Sequence, residues 1–491
     1  MDQRNHLPNW LKKRAQLSPH RTAIIYEEKQ YTFLDLYELS LQFSWKLHTK
    51  GVRSGDKIGL LLNTSLEMVV AIHASMQLGA QLVLFNSKLT AQELKWQFED
   101  SQLDWLITEE HFCDIVGNKY SPLFIERLAL IEENKNFAEV EEFDLNKIAT
   151  IMYTSGTSGY PKAVMQTYGN HWWSAVGSML NLGLRENDRW LCTMPLFHIS
   201  GLSIMLRSVI YGMTVILHKQ FNEDLVNDHI CRYEVTIMSV VTAMLNRMLA
   251  RLGDNHYPST LRCLLLGGGP APLSILERCK QKGIPVYQTY GMTETSSQIV
   301  TLSPEYSIEK LGSAGKALFP SQLKIMADSR EADIREIGEI LVKGPNVTAG
   351  YVNRPEETSE VIQDGWLKTG DIGYLDEDGF LYVVDRRSDL IISGGENVYP
   401  AEVEAALMRH PSVFEAGVTG VEDPKWGQVP VAFVVLDGVG EKDEILNHCR
   451  HHLAAYKVPK EIYFVNELPR NSSNKLLRRH LNKLIEQSRS Q

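Results

Sequence analysis

The spacing of apolar and polar residues divides the chain into two parts with different patterns. In the first part, short apolar runs alternate with stretches in which an apolar residue recurs every three or four positions. The apolar runs predict buried strands, and the periodic stretches predict helices. Strand–helix alternation with short connections is typical of parallel sheets that helices cover on both faces. We therefore predict a large domain of layered α/β sheets over residues 1–385.

The predicted elements of this first part can be placed along the sequence. Residues 22–33 alternate as a hairpin does, and a helix follows that stops at Gly51. A second helix spans 65–78, and Thr90 with Glu93 forms a capping box for a third. Strands are predicted at 57–62, 81–85, 105–108, 148–153, 190–194, 214–218, 235–241, 262–266 and 285–288.

The pattern changes near Lys310. Short strands at 312–318, 322–326 and 339–342 are separated by Gly and Pro, which predicts a small β-barrel subdomain within the large domain, roughly 310–385. Beyond it, the pattern predicts a hairpin and then a final set of elements: a helix at 399–409, strands near 416–418 and 431–436, and a helix at 442–452. We therefore predict a smaller α+β domain over residues 386–491, with the polar segment 385–389 as the boundary.

The composition narrows the possible classes of function. The 491 residues carry a formal net charge of −10, so neither a nucleic-acid surface nor a basic helix for anionic lipid is indicated. The N-terminus lacks the apolar core of a signal peptide, and polar residues interrupt the most apolar region, 59–85. The six cysteines show no paired spacing. We therefore predict a cytoplasmic protein with reduced thiols and no integral membrane segment.

A loop rich in glycine and hydroxyl residues, 154–162, follows the predicted strand at 148–153. Its glycines allow close approach of the backbone, its hydroxyls and amides donate hydrogen bonds, and Lys162 adds a positive charge. These groups suit a polyphosphate, although the spacing differs from that of the Walker A motif. The alternative is a flexible Gly/Ser loop without a ligand.

Three other groups of polar residues follow predicted strands, which is where ligands bind in open α/β sheets. His198 lies where a strand gives way to a helix, residues 288–295 present a hydroxyl, an aromatic ring and a carboxylate, and Asp371 lies in a Thr-Gly-Asp turn. Each signal is weak alone, because a single histidine is more often a core residue and Thr-Gly-Asp is often only a turn. Their order along the chain makes them informative.

In this order, the motifs resemble those of the adenylate-forming acyl-CoA synthetase family. The resemblance extends through residues 379–386, 393–400 and 469–475 and covers nearly the whole chain. Three stretches, 262–272, 288–302 and 385–404, resemble more narrowly the o-succinylbenzoate–CoA ligase branch, which serves menaquinone biosynthesis. The resemblance implies an AMP-forming acid–thiol ligase that activates a carboxylic acid, 2-succinylbenzoate by the narrower match, with ATP and Mg²⁺ and transfers it to coenzyme A.

The resemblance also implies roles for individual residues. Lys475, His198 and Glu294 would be catalytic, and Glu294 would be the metal ligand for Mg²⁺. The residues expected to bind ATP or coenzyme A are Thr154, Ser155, Gly156, Thr157, Ser158, Gly159, Lys162, Gly268, Gln288, Thr289, Tyr290, Gly291, Thr293, Asp371, Arg386, Gly394 and Gly395.

Within that set, the loop 154–162 would wrap the β- and γ-phosphates and Thr289 would contact the α-phosphate. Tyr290 would lie against the adenine, while Asp371 and Arg386 would hold the ribose hydroxyls. Lys475 would bridge the acyl carboxylate and the α-phosphate. Without the resemblance, Lys475 would be interpreted as one more lysine of a basic C-terminal helix.

Two positions depart from the usual pattern of the family. Asn474 stands where glycine is common before the lysine, and asparagine tolerates the left-handed backbone that such a turn needs. Ser388 stands at the hinge position, where Asp or Lys is usual. The resemblance implies a mobile C-terminal domain with its hinge near Ser388.

The acid is expected to lie against His198, residues 239–242 and the glycines 267–269, which leave room for an aromatic ring. Arg207 is a candidate partner for a second carboxylate, but the favoured interpretation is an arginine on a helix surface. His448 and His452 have the i, i+4 spacing that metals use. With no third ligand in view, a solvated helix face is favoured there.

Alternative functions remain open. They are another aryl or fatty acid–CoA ligase, a stand-alone adenylation enzyme that loads a carrier protein, a luciferase-like oxygenase and, in a different class, an inactive acyl-binding scaffold. The joint presence of Glu294, Asp371, Arg386 and Lys475 argues against an inactive scaffold. The expected partners are a small-molecule acid, ATP and coenzyme A, with no nucleic acid, and a homo-oligomer is left open.

Overall fold

The structure, a computed structural model, describes residues 5–117, 122–128, 130–131, 137–154, 161–267, 273–327, 329–385, 391–398, 400–436, 438–469, 478, 481 and 484–485. No helix in this described part has the length and apolar character needed to cross a membrane. The α-helices are α1 (Trp10–Leu17), α2 (Phe33–Lys50), α3 (Leu66–Leu78), α4 (Ala91–Ser101), α5 (Cys113–Val116), α6 (Ile125–Leu128), α7 (Tyr168–Leu182), α8 (Ile199–Tyr211), α9 (Glu223–Arg232), α10 (Thr242–Leu252), α11 (Leu273–Gln281), α12 (Pro355–Val361), α13 (Pro400–Leu407) and α14 (Lys442–His452).

The first strand pairs antiparallel with the eighth, and the other strands fall into the sheets discussed below. In chain order they are β1 (His6–Pro8), β2 (Thr22–Tyr26), β3 (Lys29–Thr32), β4 (Lys57–Leu61), β5 (Gln81–Leu84), β6 (Trp105–Thr108), β7 (Leu123–Phe124), β8 (Glu142–Asp144), β9 (Ile148–Thr154), β10 (Lys162–Thr167), β11 (Arg189–Cys192), β12 (Thr214–Leu217), β13 (Ile237–Val241), β14 (Cys263–Gly267), β15 (Val286–Met292), β16 (Ser297–Leu302), β17 (Lys316–Ala317), β18 (Gln322–Ala327), β19 (Arg330–Glu331), β20 (Gly338–Lys343), β21 (Gly350–Tyr351), β22 (Ile362–Gln363), β23 (Trp366–Leu375), β24 (Leu381–Asp385), β25 (Ile391–Ser393), β26 (Glu396–Val398), β27 (Val413–Asp423), β28 (Gly427–Leu436) and β29 (Glu461–Phe464).

A seven-stranded sheet has the order β21-β10-β9-β5-β4-β6-β7. Strands β9, β5, β4, β6 and β7 pair in parallel, whereas β10 and β21 add an antiparallel edge. Helix α3 is buried along nearly its whole length. It shares a core cluster with Ile58 and Leu60 of this sheet and with Val215 and Leu217 of a second one, so it fills the layer between two sheets.

The second sheet has nine strands in the order β17-β16-β15-β14-β13-β11-β12-β2-β3. The predicted hairpin is confirmed as β2–β3, with Glu27 and Glu28 at positive φ in its two-residue turn. The hairpin does not join the sheet formed by its neighbours in sequence, because β2 pairs in parallel with β12. The strands β11–β15 place their carboxyl ends at one edge, where the functional residues were expected.

A small antiparallel sheet follows, with the order β19-β18-β20-β23-β22 and β24 paired with β23. One strand assigned to this subdomain from the sequence is placed wrongly. The predicted strand at 312–318 shortens to β17, which pairs with β16 and so belongs to the nine-stranded sheet. Gly312 and Gly315 adopt φ values of +84° and +103°, which interrupt the extended backbone before β17.

The last part of the chain forms a separate unit, here called the C-terminal unit, which consists of β25–β29 with α13 and α14. Its sheet has the order β26-β25-β28-β27, and β29 pairs in parallel with β28. Val403, Val418, Val434 and Ile445 belong to a core cluster of its own. The predicted α/β class, with layered sheets and a smaller C-terminal α+β unit, is confirmed. The predicted boundary near Ser388 lies outside the described residues.

Candidate active site

One cavity of about 2100 Å³ receives side chains from both large sheets, the small antiparallel sheet and the C-terminal unit. Many of the residues predicted from the sequence meet there. The predicted residues that line it are Thr154, Lys162, His198, Thr289, Gly291, Thr293, Glu294, Asp371, Gly394 and Gly395. The chain therefore brings to one space residues that are up to 241 positions apart, between Thr154 and Gly395.

Other predicted site residues lie outside the part of the chain that the structure describes. They are Ser155, Gly156, Thr157, Ser158, Gly159, Gly268, Arg386 and Lys475, together with the two unusual positions Ser388 and Asn474. Their roles stay predictions from the resemblance.

Strand β15 divides its residues between the cavity and the core. Thr289 and Gly291 line the cavity, whereas Gln288 and Tyr290 do not and are buried on the opposite face. This alternation follows from the twofold repeat of a strand. Tyr290 packs in the core of the small antiparallel sheet, and its hydroxyl donates a hydrogen bond of 2.7 Å to Oδ2 of Asp371.

Glu294 follows β15 in a 3₁₀ turn, Thr293–Thr295, and is only 7% exposed. Tyr351 donates a hydrogen bond of 3.2 Å to its Oε1. Burial raises the pKa of Glu294, and the neighbouring charge of Asp371 acts in the same direction. A cation at this position would therefore stabilise the ionised carboxylate. We call Thr289, Glu294 and Asp371 the nucleotide wall.

The described residues contain no group of three or more His, Cys, Asp or Glu side chains that could hold a metal ion. Mg²⁺ in nucleotide sites is commonly held by one or two carboxylates, with phosphate oxygens and water completing its octahedron. The single buried carboxylate of Glu294 fits such a site. The described part of the predicted phosphate loop contributes one cation, Lys162, whose Nζ lies 2.7 Å from Oε2 of Glu357.

A cluster of three charged or titratable residues joins the C-terminal unit to the rest of the chain, and we call it the seam. It consists of Lys88, His198 and Glu396. Nζ of Lys88 lies 2.6 Å from Oε1 of Glu396, and Nε2 of His198 lies 3.1 Å from Oε2. Burial opposes ionisation, but the hydrogen bond from His198 and the two neighbouring charges outweigh it and lower the pKa of Glu396 to about 2. An ionised carboxylate only accepts, so Nε2 of His198 carries the hydrogen.

Arg207 is not the surface arginine that the favoured interpretation of the sequence expected. It is 2% exposed on α8 and lines the cavity. Its Nη2 donates a hydrogen bond of 3.3 Å to Ser174, and its guanidinium lies 5.6 Å from the ring centroid of Trp190. Its Nε has no partner, and none of the described carboxylates forms an ion pair with it. Helix α8 is buried on almost every side, which is why its arginine is buried too.

Gln298 on β16 also lines the cavity, and the sequence did not single it out. It is 3% exposed, and neither its Nε2 nor its Oε1 has a hydrogen-bond partner. Gly267 opens the adjacent surface, because a Cβ there would meet only Oγ1 of Thr289, at 3.6 Å. We call Arg207, Gly267 and Gln298 the acyl wall. Nε of Arg207 and both amide atoms of Gln298 have no partner in the described part of the protein, which is costly unless a ligand pairs them.

The histidine pair His448 and His452 shows no ligand geometry of its own. Their rings stack at 4.1 Å, and Nε2 of His448 lies 3.1 Å from the carbonyl oxygen of Ala406. The described residues supply no third metal ligand beside them.

Lys88 and Glu396 of the seam, like Gln298, were not singled out by the sequence. Glu396 lies within the motif 393–400, but nothing in the local pattern reveals a partner 198 positions away. The available signal for Gln298 was a buried-strand pattern, Ile299 to Leu302, directly after the amide.

Comparison with known proteins identifies the family. The AMP-binding enzyme family matches residues 11–352, and the AMP-binding enzyme C-terminal domain matches residues 402–475. The 2-succinylbenzoate–CoA ligase of Geobacillus kaustophilus (strain HTA426) is 58% identical over 481 residues, 98% of each chain. The enzyme of the same name from Bacillus thuringiensis subsp. konkukian (strain 97-27) is 53% identical and covers 98% of this chain and 99% of that one.

Solved structures of o-succinylbenzoate CoA synthetase from Bacillus subtilis cover 97% of this chain at 51% identity. A double mutant bound to the product analogue OSB-NCoA gives a TM-score of 0.94 over 98% of that chain. The complex with the acyl-adenylate OSB-AMP gives 0.78 over 98%, and the complex with ATP and magnesium gives 0.78 over 100%. Since identity and coverage are alike, the scores describe a difference in how the parts are arranged.

The family model over residues 11–352 spans more than half of the sequence, and both curated relatives match nearly all of it. The order of motifs that the sequence presented is thereby explained: the chain belongs to the AMP-binding enzyme family of adenylate-forming acyl-CoA synthetases.

Proposed function

We propose that this chain is an ATP-dependent ligase that joins 2-succinylbenzoate to coenzyme A in menaquinone biosynthesis. A carboxylate is a poor electrophile, so its oxygen first attacks the α-phosphorus of ATP, which forms an acyl-adenylate and expels pyrophosphate. The thiolate of coenzyme A then attacks the acyl carbon and expels AMP. The observation that carries the proposal is that the nucleotide wall, the acyl wall and the seam border one cavity.

The nucleotide wall suits the first step. Thr289 would donate to the α-phosphate, and Asp371, whose Oδ2 already accepts from Tyr290, would accept hydrogen bonds from the ribose. Glu294 would hold Mg²⁺, which neutralises phosphate charge as the α-phosphorus is attacked. The buried position of Glu294 supports this role, because a cation there would offset the cost of a buried carboxylate.

The acyl wall favours an acid with a second carboxylate. Arg207 is a buried cation that lines the cavity and has no carboxylate partner among the described residues, and its Nε is unpaired. A bound carboxylate would supply the missing charge and hydrogen bonds, and Gln298 would pair with the remaining polar oxygens of the substrate. Gly267 leaves space for the aromatic ring. A fatty acid would leave both polar groups unpaired.

The seam suits the second step. We call the part of the chain that precedes the C-terminal unit the large part. Glu396 is ionised and held by His198 and Lys88, and it fixes the loop Gly394–Gly395 against this large part of the chain. Gly395 approaches Val241 so closely that an added Cβ would lie 3.2 Å from Cγ2. We expect the pantetheine arm to reach the acyl carbon beside this loop, with His198 next to the reacting atoms.

The remaining roles rest on the resemblance. Lys475 would neutralise charge during adenylation, the loop residues 155–159 with Gly268 would bind phosphates, and Arg386 would bind ribose. The six unpaired cysteines support a reducing, cytoplasmic setting. The proposed partners are the acid, ATP and coenzyme A.

The test is acid-dependent release of pyrophosphate from ATP and formation of the thioester, with and without coenzyme A. We expect kcat/KM for 2-succinylbenzoate to exceed that for benzoate and for a long-chain fatty acid by about 100-fold or more, because two buried polar groups must be paired. A higher value for a fatty acid would overturn the substrate but retain the ligase. Adenylate formation without transfer to coenzyme A would favour a carrier-loading enzyme, and no pyrophosphate release with any acid would favour an inactive scaffold.

A further inference from the structure

A buried cation that is not part of the seam lies between the C-terminal unit and the large part of the chain, in the turn that follows α14. Lys457 is 5% exposed and ends the 3₁₀ turn Ala455–Lys457. Its Nζ lies 2.6 Å from Oε1 of Glu402 on α13 and 3.1 Å from Oε1 of Glu93 on α4. Burial disfavours the ammonium, but the two carboxylates outweigh it and raise the pKa of Lys457.

The turn that carries Lys457 is packed into the large part of the chain. Ala454 belongs to the same core cluster as Leu89 and Leu94, which flank and begin α4, and Tyr456 packs against that cluster. The hydroxyl of Tyr456 lies 3.4 Å from Nδ2 of Asn86. The ion pair between Lys457 and Glu93 is thus shielded from water, so the attraction between the charges is stronger than on the surface and removal of one partner leaves a buried charge uncompensated.

Both partners keep other hydrogen bonds within their own part of the chain. Oε2 of Glu93 accepts from the backbone N–H and the hydroxyl of Thr90 in the capping box of α4. Lys457 keeps Glu402, which lies in the C-terminal unit. If the unit moved away, Lys457 would keep an opposite charge and Glu93 would keep its hydrogen bonds from Thr90, so this pair would lose only the contact through Oε1 of Glu93. The pair therefore has the properties of a contact that can be made and broken.

The structures of the Bacillus subtilis enzyme differ in how well they superpose on this chain. The complex with the product analogue gives a TM-score of 0.94, whereas the complex with the acyl-adenylate gives 0.78. The arrangement of this chain is thus closer to that of the complex with the product analogue.

We propose that Glu93 is a positioning residue for thioester formation: through Lys457 it holds the C-terminal unit in the arrangement that accepts coenzyme A. The proposal rests on the two-step ligase function. Glu93 does not line the cavity, whereas Lys457 does, so Glu93 acts on the reaction through Lys457 and the unit that carries it. Its loss should leave adenylation intact and lower the fraction of molecules ready for the second step.

The decisive variant is Glu93→Gln, which keeps the shape and an acceptor for Thr90 but removes the charge. We expect adenylation, followed as pyrophosphate release, to stay within about twofold of the wild type, and thioester formation from pre-made acyl-adenylate to fall about tenfold or more at low coenzyme A. The defect should shrink as coenzyme A is raised, because the ligand draws molecules into the competent arrangement. A residue needed only for folding would not produce this dependence.

The matched control is Thr90→Ala, which removes the capping hydroxyl but leaves Oε1 of Glu93 beside Lys457. It should lower the thermal midpoint of unfolding without changing the ratio of the two half-reaction rates. Should Glu93→Gln not fold, Glu93→Asp gives the same test, since the shorter side chain withdraws the carboxylate from Lys457.

Two results would overturn the proposal: equal losses in both half-reactions, or an unchanged thioester step. Small-angle X-ray scattering gives a readout without activity, in which Glu93→Gln should shift the profile of the ligand-free chain and Thr90→Ala should not. Failure of the proposed function would look different, because the wild type itself would then release no acid-dependent pyrophosphate.

Discussion

The nucleotide wall and the seam face the same cavity, yet they are built differently. Glu294 and Asp371 receive their hydrogen bonds from Tyr351 and Tyr290, which belong to the large part of the chain. In the seam, by contrast, Glu396 of the C-terminal unit is held by Lys88 and His198, which lie 308 and 198 positions earlier. These hydrogen bonds of the first set join residues of the large part only, whereas the described contacts of the second exist only when the C-terminal unit is docked.

This difference separates the two chemical steps. A wall formed within one folded part can be ready for ATP whatever the position of the C-terminal unit, which is the preorganisation that electrostatic catalysis requires. A cluster made across a junction can act in only one arrangement. We therefore expect substitutions in the nucleotide wall to impair adenylation and substitutions in the seam to impair thioester formation.

The largest effect is expected for Glu294→Gln. Loss of the charge that we propose holds Mg²⁺ should reduce adenylation by about 100-fold or more and raise the Mg²⁺ concentration needed for half-maximal rate. Thioester formation from pre-made acyl-adenylate should change little. Tyr351→Phe, which removes only the hydrogen bond to Oε1, is the matched control and should cost less than about tenfold. Equal losses in both half-reactions for Glu294→Gln would contradict the assignment of the nucleotide wall to adenylation alone.

Arg207→Met tests recognition of the acid separately from adenylation and thioester formation. Removal of the buried cation should lower kcat/KM for 2-succinylbenzoate by about 100-fold, roughly 3 kcal/mol, because a hydrogen-bonded charge pair is lost. Benzoate, which has no second carboxylate, should react at nearly the wild-type rate. Equal losses for the two acids would mean that Arg207 supports the fold of the cavity rather than the substrate.

A smaller effect, about tenfold, is expected for Glu396→Gln and only in thioester formation. The exposed Glu422→Gln in the same unit is the control and should have no effect. The lowered pKa of Glu396 means that its contribution is fully present above pH 4.5 and is lost only as the pH falls through about 2. The ratio of the two wild-type half-reaction rates should therefore show no titration of Glu396 between about pH 6 and 9. A tenfold loss of adenylation in Glu396→Gln would contradict the assignment of the seam to thioester formation alone.

Local signals in the sequence predicted local structure well. Thr90 and Glu93 form the expected capping box, and Gly51 and Gly79 end their helices at φ values of +109° and +74°. These features depend on a few neighbouring residues, so the sequence contains the necessary information. The carboxyl ends of β11–β15 were also predictable, and with them the position of His198 and Glu294.

Contacts between distant segments were not predictable in the same way. The hairpin β2–β3 joins the second sheet through β12, and the local pattern cannot specify a partner some 190 residues away. Arg207 was misjudged because a single arginine on a helix usually faces water. The contrary signal was the apolar sequence on both sides of Arg207 in α8, which indicates a buried helix. Its polar stripe, Ser200, Ser203 and Arg207, lines the cavity.

The last comparison is between two adjacent glycines, and it should give the smallest effect. Gly394 and Gly395 have φ values of +59° and +86°, so alanine is strained at both. A Cβ on Gly394 would lie 2.7 Å from Trp426 of the same unit, whereas a Cβ on Gly395 would lie 3.2 Å from Cγ2 of Val241 across the junction. Gly395→Ala should therefore slow thioester formation a few-fold, about three- to tenfold, and spare adenylation. Adding Val241→Ala should recover the part of the loss that comes from crowding, while Gly394→Ala with Val241→Ala should recover nothing. Rescue of both glycine variants by Val241→Ala would show that Gly394 and Gly395 move together and that both, not Gly395 alone, are crowded by Val241.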